Sequence, residues 1–220
     1  MRNIKMTAKI YNACELSSDD KKEIARALEN GAVAVFPTDT VYGIGTGAFC
    51  EASIARICAL KDRPLSQPFQ LLASSVEQAA SVGVFCAEAE KLARVCWPGG
   101  LTLIVPPNEK GKPLARGFAG IGLRVPSCAF LTDILAEMKH PLASTSANVH
   151  GQPVLTDAQY IINTFSAKAD IIIAGGVLKS TASSVVNFSV GKEPVLVREG
   201  TFSKAQLEEI LGFPLTGESK

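Results

Sequence analysis

The sequence predicts an α/β fold in which helices pack on a β-sheet. Helical and strand-like patterns alternate along almost all 220 residues, with no internal repeat or low-complexity linker between them. Hydrophobic residues make up 47% of the chain and charged residues 20%, which supplies a core and argues against disorder. Because α/β chains of roughly 200–250 residues commonly fold as one unit, we expect one domain over residues 10–212 and a C-terminal tail over 213–220 that is frayed after Pro214.

Capping residues and apolar spacing predict the helices. Ser17 or Ser18 can cap a first helix through Asn30, and a second helix fits Glu51–Leu60. Pro64 prevents the second helix from running on. Four further helices are predicted at Ala87–Val95, Phe130–Lys139, Thr156–Phe165 and Ser203–Leu211.

Short apolar runs between turn residues predict buried strands. The predicted strands are Ala32–Phe36, Phe69–Ala73, Leu101–Val105, Gly122–Val125, Leu142–Ser144, Asp170–Ala174, Ser184–Phe188 and Val195–Arg198. These runs are far shorter than the about 20 apolar residues of a spanning helix. The first thirty residues also lack the apolar segment of a signal peptide. We therefore expect no membrane contact and a cytoplasmic protein.

Charge and cysteine content argue against several classes of protein. The chain has 22 Lys and Arg against 21 Asp and Glu, a net charge of +1, so it lacks the excess of a chain that blankets nucleic-acid phosphates. Its six cysteines stand at wide, irregular spacings without a C-x-x-C motif, which indicates free thiols in a reducing compartment. With only two histidines, we expect no structural metal site.

The familiar catalytic motifs are missing from the sequence. It contains no G-x-S-x-G, H-E-x-x-H or EF-hand pattern. The segment Gly175–Thr181 resembles a phosphate loop, but its lysine does not follow a glycine and a strand comes next. Gly43, Gly45 and Gly47 lack the spacing of a dinucleotide fingerprint. These glycines either let a backbone approach closely or form a turn.

Polar residues follow two of the predicted strands. In open α/β sheets this edge is where ligands bind. Pro37–Gly43 (PTDTVYG) follows the first strand, although Thr38 and Asp39 could instead satisfy backbone groups in an ordinary turn. Ser144–Asn148 ends another strand in three hydroxyls and an amide, which can hydrogen-bond anionic oxygens.

A pair of cations lies at the end of the second helix, in Lys61-Asp62-Arg63-Pro64. Cations at this position commonly offset the helix dipole. However, Pro64 disfavours the helical conformation for Arg63, so Lys61 and Arg63 could converge on one polyanion. Lysine supplies a mobile point charge, and arginine supplies a rigid fork for phosphate oxygens.

In the order and spacing of these motifs the sequence resembles the YrdC-like threonylcarbamoyl-adenylate synthases, from about Ser17 to Ile210. The matching segments are Gly31–Gly45, Lys61–Pro64, Trp97–Gly99 with Leu101–Thr102, Leu123–Pro126, Ser144–Asn148, Gly175–Gly176 and Arg198–Gly200. Two departures occur: Gly100 replaces the last proline of W-P-G-P, and the S-T-V-[IV]-D pattern reads SSVVN over 183–187. The resemblance implies an open, twisted mixed sheet flanked by helices, with a concave substrate groove, in a short form without the extra C-terminal domain of longer relatives.

The resemblance also implies an activity: L-threonine, bicarbonate and ATP condense to threonylcarbamoyl-AMP and pyrophosphate. This is the first step toward the t6A modification of tRNAs that read ANN codons, completed by a downstream threonylcarbamoyl-transferase machinery. Threonine's carbamate attacks the α-phosphorus, which mainly requires positioning and charge stabilisation. Mg²⁺ would accompany ATP, since it prefers phosphate oxygens and water.

Carried over to this sequence, the resemblance implies two groups of site residues. The catalytic and ATP-binding group is Lys61, Arg63, Ser146 and Asn148, with Arg198 on phosphate or adenosine. The threonine-binding group is Thr38, Arg124, Thr145 and Ser183. The segment from Gly175 to Ser183 is a candidate mobile segment. Two alternatives stay open: adenylation of another carbamoyl donor such as carbamoyl phosphate, and a non-catalytic RNA-binding module, which would need strongly segregated charge.

Overall fold

The computed structural model describes residues 7–148, 157–178, 181–191 and 193–217, and one ten-stranded sheet runs through it. Its strands are β1 (Lys9–Asn12), β2 (Ala34–Phe36), β3 (Gly43–Gly47), β4 (Gln70–Leu72), β5 (Leu101–Val105), β6 (Ile121–Arg124), β7 (Leu142–Ser146), β8 (Ile171–Ala174), β9 (Ser184–Asn187) and β10 (Val195–Arg198). They lie in the order β1-β8-β2-β3-β7-β4-β6-β5-β9-β10. Parallel pairs such as β4/β6 alternate with antiparallel pairs such as β5/β6, so the predicted mixed sheet is confirmed.

Seven helices pack on the sheet in the described part of the chain. They are α1 (Ser18–Glu29), α2 (Glu51–Lys61), α3 (Val76–Ala80), α4 (Ala87–Cys96), α5 (Ala129–Ala136), α6 (Ala158–Phe165) and α7 (Lys204–Leu211), with a 3₁₀ turn at Lys112–Ala115. Ser17 caps α1 through a capping box, in which its hydroxyl accepts the Asp20 N–H (3.1 Å) and the Asp20 carboxylate accepts the Ser17 N–H (3.0 Å). Ser203 and Gln206 form the same box at α7. Among the described residues, each helix is too short or too polar to cross a membrane.

Most predicted elements are present, with different ends. The predicted strand at 32–36 is formed only over 34–36, and the strand predicted at 142–144 continues to Ser146. The helix predicted at 156–165 begins at Ala158, and Thr156 lies outside the described residues. Four elements were not predicted from the sequence: β1, β3, α3 and the 3₁₀ turn.

The glycine-rich segment 43–47 is the most informative of these misses. It forms β3, which is fully buried between β2 and β7. A Cβ atom on Gly45 would lie 2.5 Å from the Ala143 carbonyl oxygen, so this strand pair tolerates no side chain there. The glycines therefore serve close strand packing, one of the two readings left open above.

The two faces of the sheet are covered unequally. Ile57 of α2, Leu92 of α4, Phe165 of α6 and Leu207 of α7 lie in one apolar cluster with alternate strand residues. On the opposite face, α1 and α5 pack over Phe36, Leu72 and Leu142, near the middle of the sheet. Beyond them that face of β4, β6, β5 and β9 lines a cavity, which confirms the expected concave groove.

The predicted fraying after Pro214 is wrong for residues 215–217. Leu215 is only 2% exposed and belongs to the main apolar cluster. The Thr216 carbonyl accepts the Leu196 N–H (2.8 Å), and Thr216 forms a parallel bridge with Val195 at the edge of β10. A short polar tail looked unanchored because the sequence gives no sign of a sheet edge for it to cover.

Substituting Leu215→Ala should therefore destabilise the protein by about 2–4 kcal/mol, because a buried leucine is replaced by a cavity. Denaturant unfolding followed by circular dichroism would measure this. Val95→Ala is the matched control, since Val95 is 62% exposed on α4 and should change stability by less than about 0.5 kcal/mol. Equal effects of the two substitutions would show that the tail is not packed.

Candidate functional site

A cavity of about 660 Å³ lies over the uncovered half of the sheet. Its floor consists of alternate residues of four neighbouring strands, which point to the same face. These residues are Gln70, Thr102, Ile104, Gly122, Val185 and Asn187. Arg63, Thr145 and Ser146 line it at the β7 side, and Ser183 and Arg198 line it near β10. The cavity thus joins motifs that are far apart in the sequence.

Arg124 is the most deeply buried cation of the cavity, at 3% exposed. Its Nη2 pairs with the Asp39 carboxylate (2.5 Å), its Nη1 donates to the Thr40 hydroxyl (2.8 Å), and its Nε donates to the Gly99 carbonyl (2.9 Å). Burial lowers the pKa of the guanidinium group, and the Asp39 carboxylate opposes that shift. The ion pair therefore holds the 37–42 turn against β6, and Arg124 faces a protein carboxylate.

The Thr38 hydroxyl is used inside that turn. It donates to the Val41 carbonyl (2.7 Å) and accepts the N–H groups of Thr40 and Val41 (3.1 Å each). Thr38 is not among the residues that line the cavity, whereas Thr40 and Val41 are. The geometry of Thr38 thus matches the ordinary-turn alternative, and Thr40 is a cavity residue that sequence reasoning missed.

The Lys61 side chain reaches the end of β7 from the last turn of α2. Lys61 is 3% exposed, and its ammonium group donates to the Ser146 carbonyl (2.5 Å), to the Asn148 carbonyl and to Asn148 Oδ1 (3.0 Å). Burial, and then the charge of Arg63, lowers the pKa of Lys61 to about 8. Lys61 and Asn148 do not line the cavity. In this structure Lys61 fastens the end of β7.

Arg63 approaches β7 from the cavity side. Its Nη2 donates to the Pro68 carbonyl (2.6 Å), its Nη1 lies 3.4 Å from the Thr145 hydroxyl, and its guanidinium carbon lies 5.1 Å from the centre of the Phe69 ring. Burial lowers the pKa of the group. Its Nε is buried without a hydrogen-bond partner in the described part of the structure. These contacts therefore fix the position of the Arg63 guanidinium group on the cavity wall.

Lys61 and Arg63 both reach the end of β7, but only Arg63 lines the cavity, so their convergence on one polyanion stays a prediction. Asp62 adopts a left-handed conformation (φ 51°, ψ 45°) that ends α2 between the two cations. This reversal sends Lys61 and Arg63 to the same strand end, where the Ser146 hydroxyl also donates to Asn148 Oδ1 (2.6 Å). The K-x-R and S-x-N motifs therefore meet at the end of β7, where Lys61 binds Ser146 and Asn148 and Arg63 lies beside Thr145.

A row of hydrogen bonds crosses the floor toward β10. Gln70 Nε2 donates to the Thr102 hydroxyl (2.6 Å), which lies 2.9 Å from the Ser183 hydroxyl. Arg198 donates from Nη2 to the Ser183 hydroxyl (3.1 Å) and from Nε to its carbonyl (2.9 Å). Burial lowers the pKa of Arg198. Gln70 and Thr102 were not predicted, although Thr102 interrupts the apolar run LTLIV at a position that alternation places on the cavity face.

Within residues 7–148, 157–178, 181–191 and 193–217, no group of three or more His, Cys, Asp or Glu residues is arranged to hold a metal ion. All six cysteines are free thiols, as predicted.

Comparison with known proteins settles the family. A family model for Sua5, YciO and YrdC proteins, described as "Telomere recombination", matches residues 26–200. The chain belongs to the Sua5/YciO/YrdC family. The resemblance seen in the sequence motifs is thereby confirmed. The chain belongs to the family despite its departures from the motifs at Gly100 and over 183–187.

Members of this family with curated names are similar over most of the chain. A threonylcarbamoyl-AMP synthase of Pyrococcus abyssi is 32% identical over 206 residues, which cover 92% of this chain and 61% of the relative. One of Bacillus subtilis is 30% identical over 203 residues, which cover 90% of this chain and 59% of the relative. A crystal structure of P. abyssi Sua5 complexed with L-threonine superposes with a TM-score of 0.86 at 29% identity, covering 95% of this chain and 63% of that one. The chain thus spans about 60% of the length of these relatives.

The burial of Lys61 gives a prediction about pH. An unfolded lysine titrates near 10.5 and folded Lys61 near 8, so between these values the unfolded chain binds a proton that the folded chain has lost. Stability should then rise with pH across this window, by linkage. The unfolding free energy of the wild type minus that of Lys61→Met should therefore increase from pH 8 to 10.5. It should stay constant from pH 6 to 7.5.

Urea denaturation under reducing conditions at several pH values would measure this difference. Both proteins share every other titrating group, so their contributions cancel. A difference that stays constant over the whole range would mean that the Lys61 amine is as well solvated as an exposed one.

Proposed function

We propose that the chain is an L-threonylcarbamoyladenylate synthase, a nucleotidyltransferase that condenses L-threonine, bicarbonate and ATP. The observation that carries this proposal is the one cavity that joins Arg63, Arg124 and Arg198 with the hydroxyls of β7 and of Ser183. Such a site offers cations and hydrogen-bond donors, which suit the positioning of phosphates and carboxylates. The curated names of the two similar relatives and the threonine bound to P. abyssi Sua5 support the same substrates.

The proposed reaction has two steps. The amine nitrogen of threonine attacks the carbon of bicarbonate, a C–N bond forms, and water leaves to give a carbamate. A carbamate oxygen then attacks the α-phosphorus of ATP, an O–P bond forms, the bond to the β-phosphate bridge breaks, and pyrophosphate leaves. Negative charge moves onto the leaving pyrophosphate, so preorganised cations lower the barrier.

In this proposal Arg63 and Arg198 bind phosphate from the two sides of the cavity. Lys61 is a positioning residue, because its ammonium group holds the carbonyls of Ser146 and Asn148 and so fixes the Ser146 hydroxyl at the wall. Mg²⁺ would enter with ATP, bound by phosphate oxygens and water.

Threonine would bind among Thr145, Ser183 and Arg124. Arg124 has five N–H donors and uses three of them in the hydrogen bonds described above. Its remaining donors can receive a carboxylate, although the Asp39 pair reduces the net charge there. Thr40, on the cavity wall, takes the place that the sequence assigned to Thr38.

The cellular role follows from the same proposal. We infer a cytoplasmic protein whose product is used by a threonylcarbamoyl-transferase machinery for the t6A modification of tRNAs that read ANN codons. Direct binding of tRNA is not required for adenylate formation. The free thiols fit a reducing compartment.

The decisive experiment is pyrophosphate release from ATP with L-threonine and bicarbonate each present or omitted. Release that requires both supports the synthase. Turnover with carbamoyl phosphate in place of both supports adenylation of another carbamoyl donor. Salt-sensitive RNA binding without any ATP turnover would replace the enzyme proposal by an RNA-binding module.

Arg63→Ala should lower kcat/KM for ATP by about 100-fold or more, the scale of losing a charge-stabilising donor in an active site. Arg63→Lys keeps the charge without the fork and should recover part of the loss. Arg94→Ala is the control, since the Arg94 side chain is 79% exposed on α4. Near wild-type turnover by Arg63→Ala would remove Arg63 from the phosphate site and leave the overall reaction intact.

A further inference from the structure

Gln70 begins a row of four hydrogen-bonded side chains on the cavity floor. Strand β6 lies between β4, which carries Gln70, and β5, which carries Thr102. The Gln70 side chain therefore crosses β6 to place its Nε2 atom 2.6 Å from the Thr102 hydroxyl. Thr102 and Ser183 are 5% and 4% exposed, and Gln70 is partly buried. The row ends at Arg198, which donates to the hydroxyl and the carbonyl of Ser183.

The groups at the two ends of the row can only donate hydrogen bonds to it. The Arg198 guanidinium group has no acceptor atom, so the Ser183 oxygen accepts at that contact (3.1 Å). The Gln70 amide nitrogen likewise only donates, so the Thr102 oxygen accepts at the other end. In the part of the chain that the structure describes, the acceptor within reach of the Thr102 proton is Ser183 Oγ, at 2.9 Å. Thr102 therefore donates to Ser183.

The last proton of the row belongs to Ser183. A hydroxyl oxygen has two lone pairs, and those of Ser183 face Thr102 and Arg198. The Ser183 O–H bond must then point away from both neighbours. Ser183 lines the cavity, and among the described residues its hydroxyl has no acceptor for this proton. The proton is thus available to a ligand in the cavity.

The amide orientation of Gln70 decides this direction. With Oε1 in the place of Nε2, the amide would accept from Thr102, and Thr102 would accept from Ser183. The Ser183 proton would then lie within the floor, and a lone pair would face the cavity. Three guanidinium groups line the cavity, so it suits an anionic ligand. An anionic oxygen attracts a hydroxyl proton and is repelled by a lone pair.

We propose that Gln70 is a positioning residue that directs the Ser183 proton, through Thr102, toward an anionic oxygen of the substrate. The proposal rests on the proposed function, because that function supplies the anions, which are the carboxylate of L-threonine and the phosphates of ATP. In this role Gln70 acts across two hydrogen bonds and not through its own contact with substrate. It fixes which atom of the Ser183 hydroxyl faces the cavity.

Gln70→Glu tests the direction of the row, because a carboxylate of nearly the same shape can only accept a hydrogen bond. Thr102 would then donate to the carboxylate, and Ser183 would turn its proton to Thr102. Calorimetry with L-threonine and with inorganic triphosphate should show a Kd about 10-fold or more higher for the ligand that the Ser183 proton contacts. Gln159→Glu, at an exposed position on α6, is the matched control and should change both Kd values by less than about twofold.

The new carboxylate would also repel an anion through space. Thr102→Val separates the two effects, because it deletes the hydroxyl that connects Gln70 to Ser183 and keeps the shape of the side chain. In the Thr102→Val background, Gln70→Glu should raise the same Kd by about threefold or less, since only the through-space repulsion remains. An equal rise in both backgrounds would show that Gln70 does not act through Thr102, and it would overturn the proposal.

Gln70→Met removes the amide donor without adding a charge. The Ser183 proton could then point either way, so the Kd should rise by about twofold to fivefold, which is less than for Gln70→Glu. A merely structural role of Gln70 predicts the reverse order, because glutamate keeps the shape and a hydrogen bond to Thr102 and methionine does not. Binding by Gln70→Met as tight as that of the wild type would also contradict the proposal.

The outcomes separate this proposal from the proposed function. Pyrophosphate release that requires L-threonine and bicarbonate, together with equal Kd values for the wild type and Gln70→Glu, would overturn the role of Gln70 and leave the proposed function intact. If the wild type binds neither L-threonine nor triphosphate, both proposals fail, since no anion receives the Ser183 proton. Circular dichroism checks that each variant folds, and Gln70→Met carries the test if Gln70→Glu does not fold.

Discussion

The incomplete cover on one face of the sheet determines the site. Helices α1 and α5 bury only the strand residues near the middle, such as Phe36, Leu72 and Leu142. Because side chains alternate along a strand, the same face of β4, β6, β5 and β9 continues past the helices without cover. Leu103 and Leu123 belong to the other face and to the main core. Thr102 and Gly122 therefore face the cavity and lie outside the main core.

Two buried cations hold backbone segments near this surface in place, and their positive charges have different partners. Arg124 has a carboxylate partner in Asp39, so its charge is balanced within hydrogen-bond distance. The described partners of Lys61 are carbonyl oxygens, and burial lowers the pKa of its ammonium group. Unpaired charge is costly to bury, so each cation fixes the backbone that solvates it. Arg124 holds the 37–42 turn, and Lys61 holds the end of β7.

Local chemistry explains which parts of the fold the sequence predicts. Ser17 and Ser203 predict the starts of α1 and α7, because a capping box depends only on residues close together in the sequence. The strand β3 was missed because glycines carry no hydrophobic pattern, and its role depends on the neighbouring Ala143. The strand β1 was missed because it is exposed along most of its length, so it lacks the apolar run of a buried strand.

In the site, too, the sequence predicts some features, and others depend on contacts between distant segments. The motifs predicted that Lys61 and Arg63 converge on one polyanion, but not that Lys61 would bind the Ser146 carbonyl and Asn148 without lining the cavity. The choice between Thr38 and Thr40 depends on which hydroxyl closes the turn, which only the folded backbone decides. Gln70 reaches Thr102 across the sheet. Such a contact between distant segments has no signal in a single sequence.

The pairing of Thr216 with the edge of β10 has a consequence for association between molecules. A free strand edge exposes unpaired N–H and C=O groups and can recruit a strand of another chain. Here the segment around Thr216 occupies the part of that edge at Val195 and Leu196. At the opposite end of the sheet, β1 carries the Lys9–Glu23 ion pair (2.8 Å), and charge on an edge strand likewise discourages pairing. Part of each margin of the ten-stranded sheet is thus less open to pairing with a strand of another molecule.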